Sequence, residues 1–362
     1  MKRGVRATRA VFVLLAGILT IRFALPGPET AALLPRPDHT VVVIMENHAY
    51  SDVIGNPTAP YIASLGNAGA NFTDSHAITH PSQPNYLALF EGDTENLSDN
   101  SCPHTFHAAN LASGLLASAQ TFLGYSESMP VNGYTGCDTG NYARRHNPWV
   151  NYANVPATVN LTFNAFPADY AELPAVAYVV PDLCHDMHDC SVATGDAWLQ
   201  SRLDTYVQWA QSHNSLLILT FDEDGGNTAT NQILTIFVGP MVQPGDYATR
   251  IDHYSLLRTL EDMYGVPATG KAANAEPITA IWKSVPPTPI RRPPIFRVPR
   301  PSRTAPRTAS QNQEVSGNFS RHWRKPAVAP VPPLPLALSN SYNRPPERLG
   351  GRSMVGQLAL DQ

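Results

Sequence analysis

Five short runs of apolar, largely β-branched residues punctuate the chain at 40–45, 121–124, 175–180, 215–221 and 233–238. Unbroken apolar runs of this length, rather than alternating ones, predict strands buried on both faces. Between them, 59–68, 85–90, 108–117, 195–212 and 253–264 carry helical periodicity or composition. Strands alternating with helices predict an α/β domain built on a mostly parallel central sheet with helices on both faces. In such sheets ligands gather beyond the carboxyl ends of the strands, so the residues that leave each run are the first place to look for chemistry.

Two of those exits are rich in oxygen donors. The first strand runs directly into Glu46, Asn47 and His48. A carboxylate and an amide there are placed to hold a hard cation, although polar residues also follow any strand that leaves a core. The fourth runs into Asp222-Glu223-Asp224-Gly225-Gly226. Adjacent carboxylates raise one another's pKa unless a cation sits among them, and the two glycines allow the sharp turn that brings them together. A solvated acidic turn is the plainer alternative.

Three further stretches bear reactive groups. In Thr79-His80-Pro81-Ser82-Gln83-Pro84-Asn85-Tyr86, Pro84 suits a first helical turn. That places the Ser82 hydroxyl beside unsatisfied backbone donors, where a phosphoryl group is welcome, and Asn85 is placed to give its amide to a phosphate oxygen. An ordinary serine N-cap has the same appearance. His185-Asp186-Met187-His188-Asp189 lies between Cys184 and Cys190, with Asp186 and His188 as ligands or proton donors. His253 opens the last helix and is a further candidate, against a capping or surface role.

Charge and cysteine content place the chain. Of its 362 residues, 25 are Lys or Arg and 29 Asp or Glu, but the balance is uneven. Residues 35–284 hold 8 basic and 25 acidic residues, a net of −17, while 285–362 hold 12 and 3, a net of +9. So acidic a body repels a nucleic-acid backbone and suits metal binding, and no nucleic-acid partner is expected. At the start, Lys2, Arg3, Arg6 and Arg9 precede an apolar run over 11–21, too short to span a bilayer. This reads as a secretory signal with linker over 1–34, an uncleaved anchor being the alternative. In the exported part, Cys102, Cys137, Cys184 and Cys190 allow three disulfide connectivities; loop order favours Cys102 with Cys137 and Cys184 with Cys190, and a zinc site competes. Beyond 284 the chain holds 15 of its 34 prolines, mixed with arginine and serine. This composition predicts a disordered basic tail, with weak contact to anionic lipid or envelope polymer as one use for it. A monomer, secreted or in the cell envelope, is expected.

In this order along 38–284, the motifs resemble those of the bacterial phosphoesterase family that joins secreted acid phosphatases with phospholipases C, within the alkaline-phosphatase-like superfamily. The greatest likeness is to secreted mycobacterial-type acid phosphatases, through Asn141-Tyr142-Ala143-Arg144-Arg145-His146. The resemblance implies metal-assisted phosphoryl transfer on phosphate monoesters, phosphoinositides among them, through a phosphoserine at Ser82. Glu46 and Asn47 would hold the metal, with Asp222 and Glu223 opposite and Asp186 as a further ligand. His188 and His253 would assist as ligands or proton donors, and Arg144 or Arg145 would clamp phosphate. Thr79 is a second hydroxyl in the nucleophile turn, and Asp224 stands where phospholipase relatives commonly carry His. Oxygen ligands suit Mg, Ca or Mn, and histidines admit Zn or Fe. The rivals are a phospholipase C-type phosphodiesterase and a non-catalytic envelope-binding protein working through its tail.

Overall fold

A computed structural model describes residues 34–226 and 228–283. The signal segment and the basic tail read from the sequence lie outside the described residues. Eleven strands occur among them: β1 His39–Met45, β2 Ala70–His76, β3 Phe122–Ser126, β4 Asp138–Thr139, β5 Tyr142–Ala143, β6 Asn160–Thr162, β7 Val176–Val180, β8 Ser215–Phe221, β9 Gln232–Val238, β10 Gly245–Tyr247 and β11 Ile251–Asp252. The α-helices are α1 Tyr50–Val53, α2 Pro60–Ala68, α3 Ser82–Glu91, α4 Leu111–Ala117, α5 Val192–Ala210 and α6 His253–Tyr264. The nine-stranded sheet has the order β10-β2-β9-β8-β1-β7-β3-β6, with β11 also on β2, while β4 and β5 form a separate hairpin. From β8 through β6 every pairing is parallel; β9 alone runs against its neighbours β8 and β2.

β1 shows why the sheet has helices on both faces. Its side chains alternate across the sheet, yet all from Thr40 to Met45 are buried. Val42 and Ile44 pack into one core with residues of α3, α4 and α6; Val41, Val43 and Met45 pack into a second with α2 and α5. A strand buried on both sides must be largely apolar, which is the pattern carried from Val41 to Met45, and the buried Thr40 hydroxyl is paired with that of Tyr264 at 2.8 Å.

Helix α2 has no side-chain cap of its own at Ala59. Asp196 of α5 supplies one from outside: its carboxylate accepts from the Tyr61 and Ile62 N–H groups at 3.2 and 2.8 Å. The carboxylate thus satisfies two orphan donors at the positive end of the helix.

Candidate active site

Strand register makes the first contact. Met45 of β1 pairs with Phe221 of β8, so the chains leave the sheet side by side at Glu46 and Asp222. The Asp222 N–H donates to the Met45 carbonyl at 3.0 Å, and the Glu46 N–H donates to the Asp186 carbonyl at 2.8 Å. Three acidic residues from distant parts of the sequence therefore share one strand mouth.

Helix α3 brings the hydroxyl. Pro81 is its N-cap and Ser82 its first residue, one position further into the helix than the N-cap expectation. Ser82 Oγ donates to Glu46 Oε2 at 3.0 Å. Four residues on, and so on the same helix face, the Tyr86 hydroxyl donates to Glu46 Oε1 at 2.5 Å. The Thr79 hydroxyl instead donates to the neighbouring His80 carbonyl.

Asn85 does not have the free amide expected for phosphate. Its Oδ1 accepts from the Ile78 and Thr79 N–H groups, and its Nδ2 donates to the Thr79 carbonyl and to Glu223 Oε2 at 3.1 Å. It binds the turn before α3 to the acidic turn after β8.

In that acidic turn the Asn47 and Glu223 N–H groups both donate to Asp222 Oδ1, at 3.0 and 2.6 Å. Asp224 is turned away from this group: it accepts from His80, the Gly226 N–H and the Thr228 hydroxyl.

Asp186 arrives on the loop closed by the Cys184–Cys190 disulfide. The loop lies flush on α5, where a Cβ on Gly195 would sit 2.5 Å from Met187 Cγ. Its other edge is clasped by His185, whose Nδ1 lies 2.8 Å from Glu127 Oε2 and 3.1 Å from Asp182 Oδ1. His146 closes the site, its ring nitrogens 3.2 Å from Glu46 Oε1 and 3.5 Å from Asp186 Oδ2. Its ring stacks on Tyr86 with centroids 5.0 Å apart. Glu46, His146 and Asp186 thus offer ligand atoms close enough to share one ion.

Charge is crowded here. Burial first, then Asp222 and Asp186, pushes the Glu46 carboxyl well above its usual range. Burial is also the main cause that raises Asp186 to about 9, Glu223 to about 8 and Asp222 to about 6. The imidazole cannot offset them, because burial, and then Arg145 and His188, lowers His146 well below the usual value. Four polar atoms buried here make no aligned hydrogen bond: Asn47 Oδ1, Asp222 Oδ2, and, despite the close approach of the His146 ring to the Glu46 and Asp186 carboxylates, Asp186 Oδ2 and His146 Nε2. Unpaired buried acceptors are costly, and the two carboxylates and imidazole of Glu46, Asp186 and His146 are a donor set that fits a divalent cation.

The remaining sequence candidates divide. His188 stays near the site, its ring 6.3 Å from that of His146, with Nδ1 on Asp189. His253 is buried with Nε2 on the Asp222 carbonyl at 2.7 Å, so it braces the turn and is not aimed at a substrate. Arg144 is a correction to the phosphate-clamp expectation. Its guanidinium donates to Asn151 Oδ1 and to the Thr135, His104 and Val150 carbonyls, which occupies the fork that would grip an anion. Arg145 pairs with Asp138 at 3.3 Å and keeps a buried Nε without a partner. The second disulfide is Cys102–Cys137, so both follow loop order. Sequence reasoning gave no role to Tyr86 or His146. The only signals for them were a tyrosine one turn after Ser82 and the last letter of the 141–146 stretch.

A serine hydroxyl held on a buried carboxylate at the mouth of a parallel sheet, among acids that call for a cation, is the arrangement of a phosphoric ester hydrolase. Residues 56–267 match the Phosphoesterase family model, and the chain belongs to that family. The match takes in Ser82 and Asp222; Glu46 and Asn47 lie just before it. Phosphatidylinositol-3-phosphatase of Mycobacterium tuberculosis is 48% identical over 287 residues, 78% of this chain and 96% of that protein. An acid phosphatase of Aspergillus fumigatus is 30% identical over 251 residues, 63% of this chain and 55% of that one, so the match spans just over half the fungal protein. Among solved structures, a protein in the alkaline phosphatase superfamily from Vibrio parahaemolyticus aligns at 13% identity with a TM-score of 0.48, covering 67% of this chain and 70% of that one.

Proposed function

We propose that this protein is an exported, metal-dependent acid phosphatase that hydrolyses phosphate monoesters through a phosphoserine at Ser82, and that phosphoinositides are among its substrates. The observation that carries the reading is the Ser82 hydroxyl on Glu46 Oε2, a carboxylate whose ligand atom lies close enough to those of His146 and Asp186 to share one ion. The name and near-complete coverage of the mycobacterial relative favour the phosphoinositide, and two disulfides suit an oxidising compartment.

Glu46, Asn47, Asp222 and Glu223 would hold the cation, with Asp186 and His146 beside them. Bound there, it would supply a lowered hydroxyl pKa and neutralise charge on the phosphoryl group. In the first step Ser82 Oγ forms a bond to phosphorus as the bond from phosphorus to the substrate oxygen breaks. Glu46 Oε2 orients that Oγ by accepting its proton. Tyr86 holds the Glu46 carboxylate and Asn85 that of Glu223. His188, at the edge of the site, is the group assigned to protonate the departing alcohol. Water then cleaves the phosphoserine in a second displacement and regenerates the hydroxyl. Arg145 is the cation left to steady phosphate oxygens.

Ser82→Ala is expected to lower turnover of p-nitrophenyl phosphate by about a thousandfold or more, while Thr79→Ala stays within about tenfold of the parent. Equal loss in the two variants, or none in Ser82→Ala, removes the proposed nucleophile. Running p-nitrophenyl phosphorylcholine beside the monoester separates the phosphodiesterase rival, which requires the diester to be the faster substrate. A purified protein inactive on both would favour the envelope-binding rival.

A further inference from the structure

Glu91 closes helix α3 at the end opposite Ser82. It is 1% exposed, and neither of its carboxylate oxygens makes an aligned hydrogen bond. The Tyr152 hydroxyl is buried without an aligned partner as well. A buried carboxylate left bare is costly, and no step of phosphate release uses this one. Glu91 lines a cavity of about 270 Å³ together with Asp93, Glu95, Asn96 and Gly270. Burial first, then the negative charge of Glu95 and Asp93, pushes its carboxyl up to about 8.

The wall has the chemistry of a hard-cation site. Carboxylates stand at the alternate positions 91, 93 and 95, followed by the Asn96 amide, and Gly92, Glu95 and Asn96 take positive φ of 79°, 50° and 55°, which bend the loop tightly. Alternate oxygen donors on a tight loop let one short segment wrap calcium. No His or Cys is among the lining residues, so softer metals lack their preferred donors. Asp93 Oδ1 accepts from the Thr94 N–H at 2.7 Å and has Lys271 Nζ at 3.5 Å, but Lys271 is not part of the lining and leaves Glu91 bare. The cavity also lies at the C-terminal, negative end of the α3 dipole, where positive charge is stabilised. In the structure the three carboxylates do not yet meet at one point. Asp93 and Glu95 are part-buried on the loop, able to turn onto an ion that Glu91 anchors.

We infer that Glu91, Asp93, Glu95 and Asn96 form a calcium site, separate from the catalytic centre, that pins the C-terminal end of α3, the helix whose first turns carry Ser82, Asn85 and Tyr86. The inference is independent of the proposed phosphatase chemistry and would stand if Ser82 proved not to be the nucleophile.

The test titrates calcium chloride into the full protein freed of metal, followed by calorimetry. The parent should bind with a dissociation constant on the order of 10⁻⁴–10⁻³ M, the range of extracellular calcium modules. Glu95→Gln, a change on a part-buried loop side chain, should weaken that binding by about tenfold or more, and Glu91→Gln should do the same. Glu46→Gln, in the catalytic centre, should leave it within about twofold. Calcium at tenfold excess over its dissociation constant should raise the Tm of the parent by about 3–5 °C more than that of Glu95→Gln. Equal calcium binding in the parent and in both loop variants, with circular dichroism unchanged, overturns the inference, as does binding that Glu46→Gln abolishes and the loop variants keep. A parent that binds no calcium overturns it too and leaves Glu91 buried as a neutral acid.

Discussion

Glu46 receives two hydrogen bonds from one helix, Ser82 on Oε2 and Tyr86 on Oε1, and the Tyr86 ring also carries the stacked His146. Tyr86 therefore sets the orientation of two groups that would hold the cation without itself meeting substrate. Such supporting contacts change metal affinity or activity by about 10–100-fold when removed. Tyr86→Phe keeps the stack and deletes only the hydroxyl. We expect metal affinity, read by titration of the metal-free protein, to fall by about tenfold, with the activity recovered at saturating metal. Unchanged affinity would mean that Glu46 is held by its buried surroundings alone. At this scale the sequence marked the candidate residues and hid the contacts that hold them. Glu46 and Asp222 stand at the ends of apolar runs, where a polar residue is conspicuous, and Ser82 stands two residues before the proline of a first helical turn. Tyr86 sits inside the helical pattern and reads as core, which its burial also makes it.

Among the elements, α2 depends on a cap from outside itself. Asp196→Ala leaves the Tyr61 and Ile62 N–H groups without their acceptor, and denaturant unfolding should show a loss of about 1–2 kcal/mol. Asp196→Asn, which retains an accepting oxygen, should recover part of it. Helix α6 carries a second buried carboxylate. Glu261 Oε1 accepts from the Thr269 N–H and hydroxyl at 2.8 and 2.6 Å, while Oε2 has no partner. Burial is the main cause that raises its carboxyl from 4.5 to about 7. The folded chain then keeps a proton that the unfolded chain releases between these values, so this group makes stability fall as pH rises through that window and adds no further slope above it. Glu261→Gln removes that contribution. The stability difference between parent and variant should change by on the order of 2 kcal/mol between pH 4.5 and pH 7 and stay flat above. A difference that does not change with pH would show that Glu261 titrates at an ordinary value.

For the whole molecule, a cation bound only by the folded form adds stability by mass action, about 2.7 kcal/mol at a hundredfold excess over its dissociation constant. Chelation should therefore lower Tm and abolish turnover together, and readdition of Mg, Mn, Ca, Zn or Fe should restore both in the same order of metals. Recovery of Tm without activity would place the stabilising ion away from Ser82. The sequence by itself determined the layered α/β plan, because strands buried on both faces must be largely apolar, and β1, β7 and β8 are. It marked the polar candidates at strand exits as well. It did not disclose β2, since Ala70–His76 mixes polar residues into a strand held by β9 on one side and by β10 and β11 on the other. Nor did it disclose the antiparallel course of β9, because an apolar run has no direction. The tertiary structure alone decided which polar groups share a space. The register of β1 on β8 sets Glu46 beside Asp222, the turn before α3 delivers Ser82 to them, and folding spends Arg144 and Asn85 on backbone while leaving His146 at the centre. Periodicity along a chain reports which face a side chain takes; it carries no information about which distant chain that face will meet.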